Sequence, residues 1–496
     1  EYAHAMGTGP GNIQEYWDVI ESSDRYLGGC IWEFCDHAVY HENGKYRFTY
    51  GGDHGEYAHD GNFCVDGLFS PQRKPHTGAY SMQYVYRPLR ARLIDDSTLE
   101  IFNTDFFKGT TDTEIVLSVI NGGKEISRTS IKADIAPRTK RKFTVFLGHI
   151  EGDMFLNVKY VTKYNEVTEQ IVLSEALPEI NTECAFPISV KDNKEALTIN
   201  FENGYLRIDK TRGEVTNYVI GGEDYLDASP VREGTSCFST CLTRPRTDND
   251  RRLKFRFIDN PVLIFKDIEY TLKRAYTGQI ECAEIIIASK VLNDGKELFV
   301  SEDMLEVYPN GKINVFASLQ TRKKTGKELF RYGKIFKLPA CFNEVIYYGR
   351  GKGENYPDMK KHAPIGLYTL SVDDFTGDEI KPQECGNRCE TRYAIVKNQA
   401  GRGLMFLGIK EAFNFNIDKY SRSVIEKAKH IEDLPQADSL YVHIDSEVRG
   451  CGSAACGPDT LPEYRIGKKD IYTLAFSVIP FSKVDGAALR NGHTVK

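Results

Sequence analysis

No apolar run in this sequence approaches the roughly 18 to 20 residues that a membrane-spanning helix requires, so a transmembrane protein of that kind is excluded. Neither sign of charge dominates. Lys and Arg total 64 against 70 Asp and Glu, a net charge of -6, which provides no basic surface for nucleic acid or anionic lipid. The start carries no basic region, apolar stretch and small-residue cleavage site of a secretory leader. Twelve cysteines are scattered through 496 residues without a single CxxC pair. That argues against a structural zinc site and a small disulfide scaffold, and for free thiols in a reducing cytoplasm. Tryptophan is scarce, with only two.

The scarce residues are not spread evenly. Both tryptophans, Trp17 and Trp32, and six of the eleven histidines precede residue 77. In "GNIQEYWDVIESSDRYL" the apolar residues Ile13, Tyr16, Trp17 and Ile20 recur at helical spacing after Pro10-Gly11, predicting a helix. "GGCIWEFCDH" then reads as a short buried strand. Glu1 would precede a helix and a strand, one βα repeat of a parallel unit. Where such repeats close into a barrel, catalytic groups sit at the C-terminal ends of the strands.

Beyond about Pro88 the pattern becomes short alternating runs, including "TLEIFN", "EIVLSVI" and "MFLNVKYV", separated by turn signals such as Asn121-Gly122-Gly123. This predicts a β-sandwich of immunoglobulin size. A polar, proline-punctuated stretch over 179–195 reads as a linker, and 196–496 as a larger all-β domain ending in a polar tail after Phe481. At 496 residues the chain exceeds what one hydrophobic core supports. Gly349-x-Gly351-x-Gly353 runs into Asn355-Tyr356-Pro357 rather than a helix, which predicts a turn and not a phosphate loop. Taken by itself, the charged stretch "TRPRTDNDRR" reads as a solvated turn.

"EYAHAMG" with its following helix, then "GGCIWEFCDH" and "GNFCVDGLFSPQRKPH", closely resembles the end of the catalytic barrel in the long microbial β-galactosidases of glycoside hydrolase family 2. "LTRPRTDND", "GRGKGENYPD", "CGNRCETRY" and "FNFNIDKYS" follow in the family's order. The resemblance implies a multidomain, mainly β chain. Residues 1–87 would be the C-terminal part of a TIM barrel, 88–178 an immunoglobulin-like sandwich, 179–195 a linker and 196–496 the large C-terminal sandwich. It places an N-terminal jelly roll, a first sandwich and most of the barrel ahead of residue 1. The chain would then be the C-terminal half of a family member.

The activity implied is hydrolysis of terminal, non-reducing β-D-galactosides such as lactose, with retention and a covalent galactosyl intermediate. Glu1 is the implied nucleophile, and the acid/base glutamate is expected upstream. His4 matches a histidine that hydrogen-bonds the sugar, and Trp32 an aromatic platform beneath it. Phe63 and Asp66 stand where the best-known branch has a Phe-x-x-Asn pair that helps bind sodium. Asp66 is a departure, and it opens whether sodium or potassium is preferred. Magnesium is implied beside the acid/base group, with its ligands upstream. Ala455 and Cys456 stand where that branch supplies a second tryptophan for the acceptor sugar. The expected partners are a galactoside, the N-terminal half and further copies in a homo-oligomer, with no nucleic acid and no membrane. β-Glucuronidase and β-mannosidase specificities fit "EYAHAMG" less well. The reading from another class is a non-catalytic or carbohydrate-binding small subunit that complements a separately encoded half.

Overall fold

The computed structural model describes residues 1–179, 186–227, 237–323 and 325–481. Its first segment opens with the strand Ala3–His4, continues through the helix Ile13–Glu21, and returns in the strand Ile31–Trp32. The two strands pair in parallel, with Ala3 opposite Ile31 and His4 opposite Trp32. The βα repeat read from the sequence is therefore present. The expected burial of its second strand is not, since Trp32 is 50% exposed. Among the described residues these two strands form a sheet of their own, and no third strand pairs with Ile31–Trp32. A second helix, Thr77–Val85, was not anticipated. It packs Tyr84 and Val85 against Ile13 of the first.

Seven antiparallel strands follow in two sheets, one of four strands and one of three. Between them lies a core that includes Leu99, Ile101, Leu117, Leu156 and Val158. This is the immunoglobulin-like sandwich. Its Asn121-Gly122-Gly123 signal forms the hairpin between Glu114–Asn121 and Lys124–Lys132, with Asn121 opposite Lys124. Both loop glycines hold positive φ, at 54° and 80°, as a two-residue hairpin loop requires. "EIVLSVI", read as an alternating run, is instead buried on both of its faces. Leu117 and Val119 face the core. Ile120, with Phe155 beside it, packs on Tyr348, Tyr393 and Met405 of the larger domain.

That larger domain is a multi-sheet β-sandwich. A five-stranded meander runs from Ser189–Asp192 to Glu223–Asp224. Ser189–Asp192 pairs with Ala196–Phe201, so the end of the segment read as a linker is a strand of this domain. A nine-stranded sheet starts with the meander Pro261–Arg274, Ile280–Asn293, Lys296–Val307 and Ile313–Thr321. A second five-stranded sheet is ordered Ser239–Cys241, Arg331–Pro339, Ser439–Val448, Phe413–Asp418, Arg388–Thr391. One hydrophobic core joins all three, with Phe336, Phe406, Phe415 and Phe476 each fully buried. The polar tail after Phe481 lies outside the described residues. The eleven described cysteines are free thiols, and no described helix is long and apolar enough to cross a membrane.

Candidate active site

His4 organises the candidate site. It is only 3% exposed, held on the strand Ala3–His4, where Tyr2 N donates to Cys30 O at 3.0 Å and Ala5 N to Trp32 O at 2.6 Å. Its Nδ1 lies 3.3 Å from Glu1 Oε1, and its Nε2 lies 3.6 Å from Asp66 Oδ2. Phe63 packs its ring 6.2 Å from the imidazole, centroid to centroid. The Asp66 loop is tied to the strand beyond Trp32 because Glu33 N donates to Asp66 O at 3.0 Å and Leu68 N to Glu33 O at 2.9 Å. Glu1, His4, Trp32, Phe63 and Asp66 are thus brought into one cluster. Glu1 keeps a side-chain exposure of 40%, whereas Asp66 is buried.

Asp66 is electrostatically stressed. Burial, a hydrogen bond with the Glu33 carboxyl and that group's charge push its pKa up to about 7, against a hydrogen bond from the Trp32 side chain that pulls it down. Asp66 Oδ1 and His4 Nε2 are both buried without a hydrogen-bond partner. Such orphans carry a desolvation cost that a ligand atom relieves. An unsatisfied carboxylate oxygen fits one oxygen ligand of a hard monovalent cation. The described residues contain no group of three or more His, Cys, Asp or Glu arranged to hold a metal by themselves. Any cation at Asp66 and the Phe63 carbonyl would take its remaining oxygens from outside this cluster.

Behind the cluster, the large sandwich grips the segment "EYAHAMGTGPGN". Thr8 Oγ1 donates to Glu384 O at 2.5 Å, and Gly11 N donates to Gly452 O at 2.9 Å. A Cβ on Gly11 would lie 2.0 Å from Asp358 Oδ2, so only glycine fits there. Asp358 in turn accepts from Cys451 N, Gly452 N and Thr460 Oγ1 at 2.7 to 2.9 Å. "TRPRTDNDRR" is not a solvated turn, since Arg244, Thr247, Asn249 and Asp250 are buried. It forms the short helix Asp248–Arg252, capped by Thr247. Arg244 and Asp250 are fully buried and paired at 3.0 Å. Asp248 accepts from Asn62 Nδ2 at 2.9 Å and Gln383 Nε2 at 3.0 Å, and Asn249 Nδ2 reaches Gly452 O at 3.3 Å.

A second bridge runs through His76. Its Nε2 is 3.0 Å from Asp36 and its Nδ1 is 3.3 Å from Asp378. Burial pushes this imidazole's pKa down, but the hydrogen bonds to Asp36 and Asp378 and the charges of Asp36 and Glu379 outweigh it, raising the value to about 10. These docking residues, Thr8, Asn62, His76, Asp248, Asp358 and Gln383, were not singled out by sequence reasoning. The ordered sandwich motifs were the available signal, because it is their side chains that converge on the first segment. Gly349–Gly353 leaves the end of the strand Glu344–Arg350 for a turn, as its sequence indicated.

The family models that match this chain place it among the glycoside hydrolases. Residues 1–91 match the family described as "Glycosyl hydrolases family 2, TIM barrel domain", and residues 202–478 match "Beta galactosidase small chain". The chain belongs to the β-galactosidases of glycoside hydrolase family 2 and corresponds to their C-terminal half. It is 28% identical over 492 residues to a β-galactosidase of Actinobacillus pleuropneumoniae, across 97% of this chain and 47% of that protein. It is 30% identical over 499 residues to one of Staphylococcus xylosus, across 95% and 48%. A Kluyveromyces lactis β-galactosidase is 28% identical over 496 residues, across 96% and 46%. The chain spans about half the length of the curated relatives it matches.

Proposed function

We propose that this chain supplies the nucleophile side of a retaining β-galactosidase site, with Glu1 attacking the anomeric carbon of a terminal β-D-galactoside. The observation that carries this reading is the His4 contact to Glu1 at 3.3 Å, made by a histidine buried against Asp66 and the loop after Trp32. A buried imidazole fixes the position of a carboxylate that remains open to substrate. Orientation of this kind is a large part of what a glycosidase contributes. Trp32 offers an exposed ring to the apolar face of the sugar. His4 Nε2 and Asp66 Oδ1, both unpartnered, offer a donor or acceptor to sugar hydroxyls or to a monovalent cation.

In the first step Glu1 displaces the leaving oxygen, which takes a proton from a second carboxyl group about 5 to 5.5 Å away. In the second, water deprotonated by that group releases galactose and frees Glu1. The second group is assigned to the upstream half, as is magnesium, whose chemistry there would be to stabilise charge beside the acid. The test is trapping. A 2-deoxy-2-fluoro-galactoside with a good leaving group, given to the full-length enzyme, should leave a fluorogalactosyl ester on the peptide containing Glu1. A label on any other carboxylate overturns the assignment. The match over 202–478 to a family described as a small chain also supports a complementing-subunit reading. In that case the same label should appear only after a separately encoded N-terminal half is added.

A further inference from the structure

We infer that the large β-sandwich carries a second small-molecule site, a cavity that takes one neutral pyranose-sized sugar between the floor residues Asp418 and His443 and the rim residues Tyr420 and Arg422. The cavity measures about 370 Å³, within the range of roughly 300 to 1,000 Å³ common to ligand pockets. No residue before Thr240 lines it, so it shares nothing with the Glu1 cluster, and the inference does not rest on the hydrolase reading.

The floor is one face of the five-stranded sheet. Ile335 pairs with His443 and Asp418 with Tyr441, which sets these side chains side by side on neighbouring strands. His443 is 6% exposed, and its Nδ1 has no hydrogen-bond partner. Its Nε2 lies 3.6 Å from Asp418 Oδ2. His443 lines the cavity, and its Nδ1 is a buried hydrogen-bonding valence that no protein group satisfies. At the mouth Val262 is 56% exposed, so the cavity communicates with solvent.

The charges around it select the ligand class. Arg422 is paired with Asp259 at 2.6 Å and with Glu426 at 3.2 Å, and Asp259 is also paired with Arg246. Each fixed charge at the rim is therefore answered by another, which leaves none to hold an anion. On the floor, burial and the neighbouring Glu384 charge push the Asp418 pKa up, while burial and the Arg331 charge push that of His443 down. Both groups favour their neutral forms. What remains is a set of hydroxyls, a neutral carboxyl and an imidazole facing Tyr420, Tyr441 and an apolar wall that includes Leu263 and Ile335. A sugar ring, with hydroxyls around its edge and C–H groups on its face, is complementary to such a lining.

The test is hydrogen exchange followed by mass spectrometry on the 496-residue chain. D-galactose, D-glucose, D-glucuronate and the open-chain polyol sorbitol would each be titrated to about 100 mM, well above a millimolar affinity. The expected result is saturable slowing of exchange in segments 259–263, 418–426 and 441–443 with at least one of the two neutral pyranoses, and little with glucuronate or sorbitol. Tyr420→Ala should raise the half-saturating concentration about tenfold, one aromatic contact's worth. Leu263→Trp, which fills the cavity from a half-buried position, should abolish the effect. No saturable slowing with either neutral pyranose overturns the inference. So does equal slowing by sorbitol, stronger slowing by glucuronate, or slowing that both variants leave unchanged. Should Leu263→Trp fail to fold, Tyr420→Ala decides alone. Slowing confined to residues 1–40 would report the Glu1 cluster and also count against the second site.

Discussion

Asn62 and Asp248 are 186 positions apart in sequence and joined by a 2.9 Å hydrogen bond in the interior. The Asp248 carboxylate also takes bonds from Gln383 and Arg251 and lies 3.5 Å from Lys381 Nζ. Burial raises its pKa, but the Arg251 and Lys381 charges and the bonds from Asn62 and Gln383 lower it further, so it stays ionised. Asp248→Ala would leave Asn62, Gln383 and Lys381 facing a void. The expected loss is about 3 to 5 kcal/mol in the docking of the first segment, as for other broken buried ion pairs. Hydrogen exchange should accelerate in residues 1–12 and 60–68, while the strand Ile313–Thr321 keeps its protection. Equal acceleration in both would show that Asp248 supports the sandwich and not the docking.

Trp32 is the clearest case of a side chain that stability alone does not explain. It is half exposed, on a strand of two residues. In the full-length enzyme Trp32→Ala should raise KM for galactosides and lower kcat, together about 10- to 1,000-fold in kcat/KM, because a stacking floor both binds and positions the ring. Its thermal stability should change little. Unchanged kinetics with a large fall in Tm would make Trp32 a packing residue.

The first segment was legible where local rules govern it. Ile13, Tyr16, Trp17 and Ile20 announced the helix Ile13–Glu21, and Asn121-Gly122-Gly123 announced its hairpin. What local rules do not carry is which surface an element faces. "TRPRTDNDRR" is charged and reads as solvated, yet Arg244 and Asp250 neutralise each other in the interior and Thr247 caps the helix that carries Asp248. Ser189–Asp192 reads as linker because its apolar content is low, and only pairing with Ala196–Phe201 makes it a strand. Thr77–Val85 has weak apolar periodicity, so its helix depends on packing against Ile13. The grouping of Glu1, His4, Trp32, Phe63 and Asp66 came from the family resemblance. No spacing rule relates residue 4 to residue 66.

His76 gives the fold a pH dependence of definite sign. Its pKa is about 10 in the folded chain against an ordinary value of 6.5, so between those values the folded state binds the extra proton. Stability from the bridge to Asp36 and Asp378 is complete below about pH 6.5 and is lost as pH rises toward 10. Unfolding of the first segment should therefore become easier from pH 7 to 9.5. His76→Gln should flatten that slope while lowering stability at pH 6.5. A slope that survives the substitution would place its origin elsewhere.

Cation dependence should follow Asp66. In the full-length enzyme the rate should differ among sodium, potassium and a bulky organic cation at matched ionic strength. Asp66→Asn, which removes one negative charge and keeps an oxygen, should shift the preference toward sodium. The measurement is kcat/KM in each salt for both proteins. Identical values throughout would remove Phe63 and Asp66 from any cation site and leave Asp66 as a partner of Glu33 and His4.

The 496-residue chain alone should not hydrolyse galactosides. Retention needs a second carboxyl group across the scissile bond from the nucleophile, about 5 to 5.5 Å from it, to protonate the departing oxygen. The carboxyl groups linked to Glu1 through His4 are Asp66 and Glu33. Asp66 lies on the far nitrogen of the imidazole from Glu1, and it is engaged by Glu33 in a contact that raises its pKa. Those two groups lie on the other side of the His4 ring from Glu1, so neither stands across a scissile bond from the nucleophile. Among the described residues the strands Ala3–His4 and Ile31–Trp32 also form a two-stranded sheet, whereas a barrel site draws its groups from several strands. Mixing the chain with the N-terminal half of the enzyme should restore turnover of a chromogenic β-galactoside, and Glu1→Gln should abolish it, since an amide forms no glycosyl ester. Turnover by the chain alone that survives Glu1→Gln would overturn both the nucleophile and the need for an upstream acid.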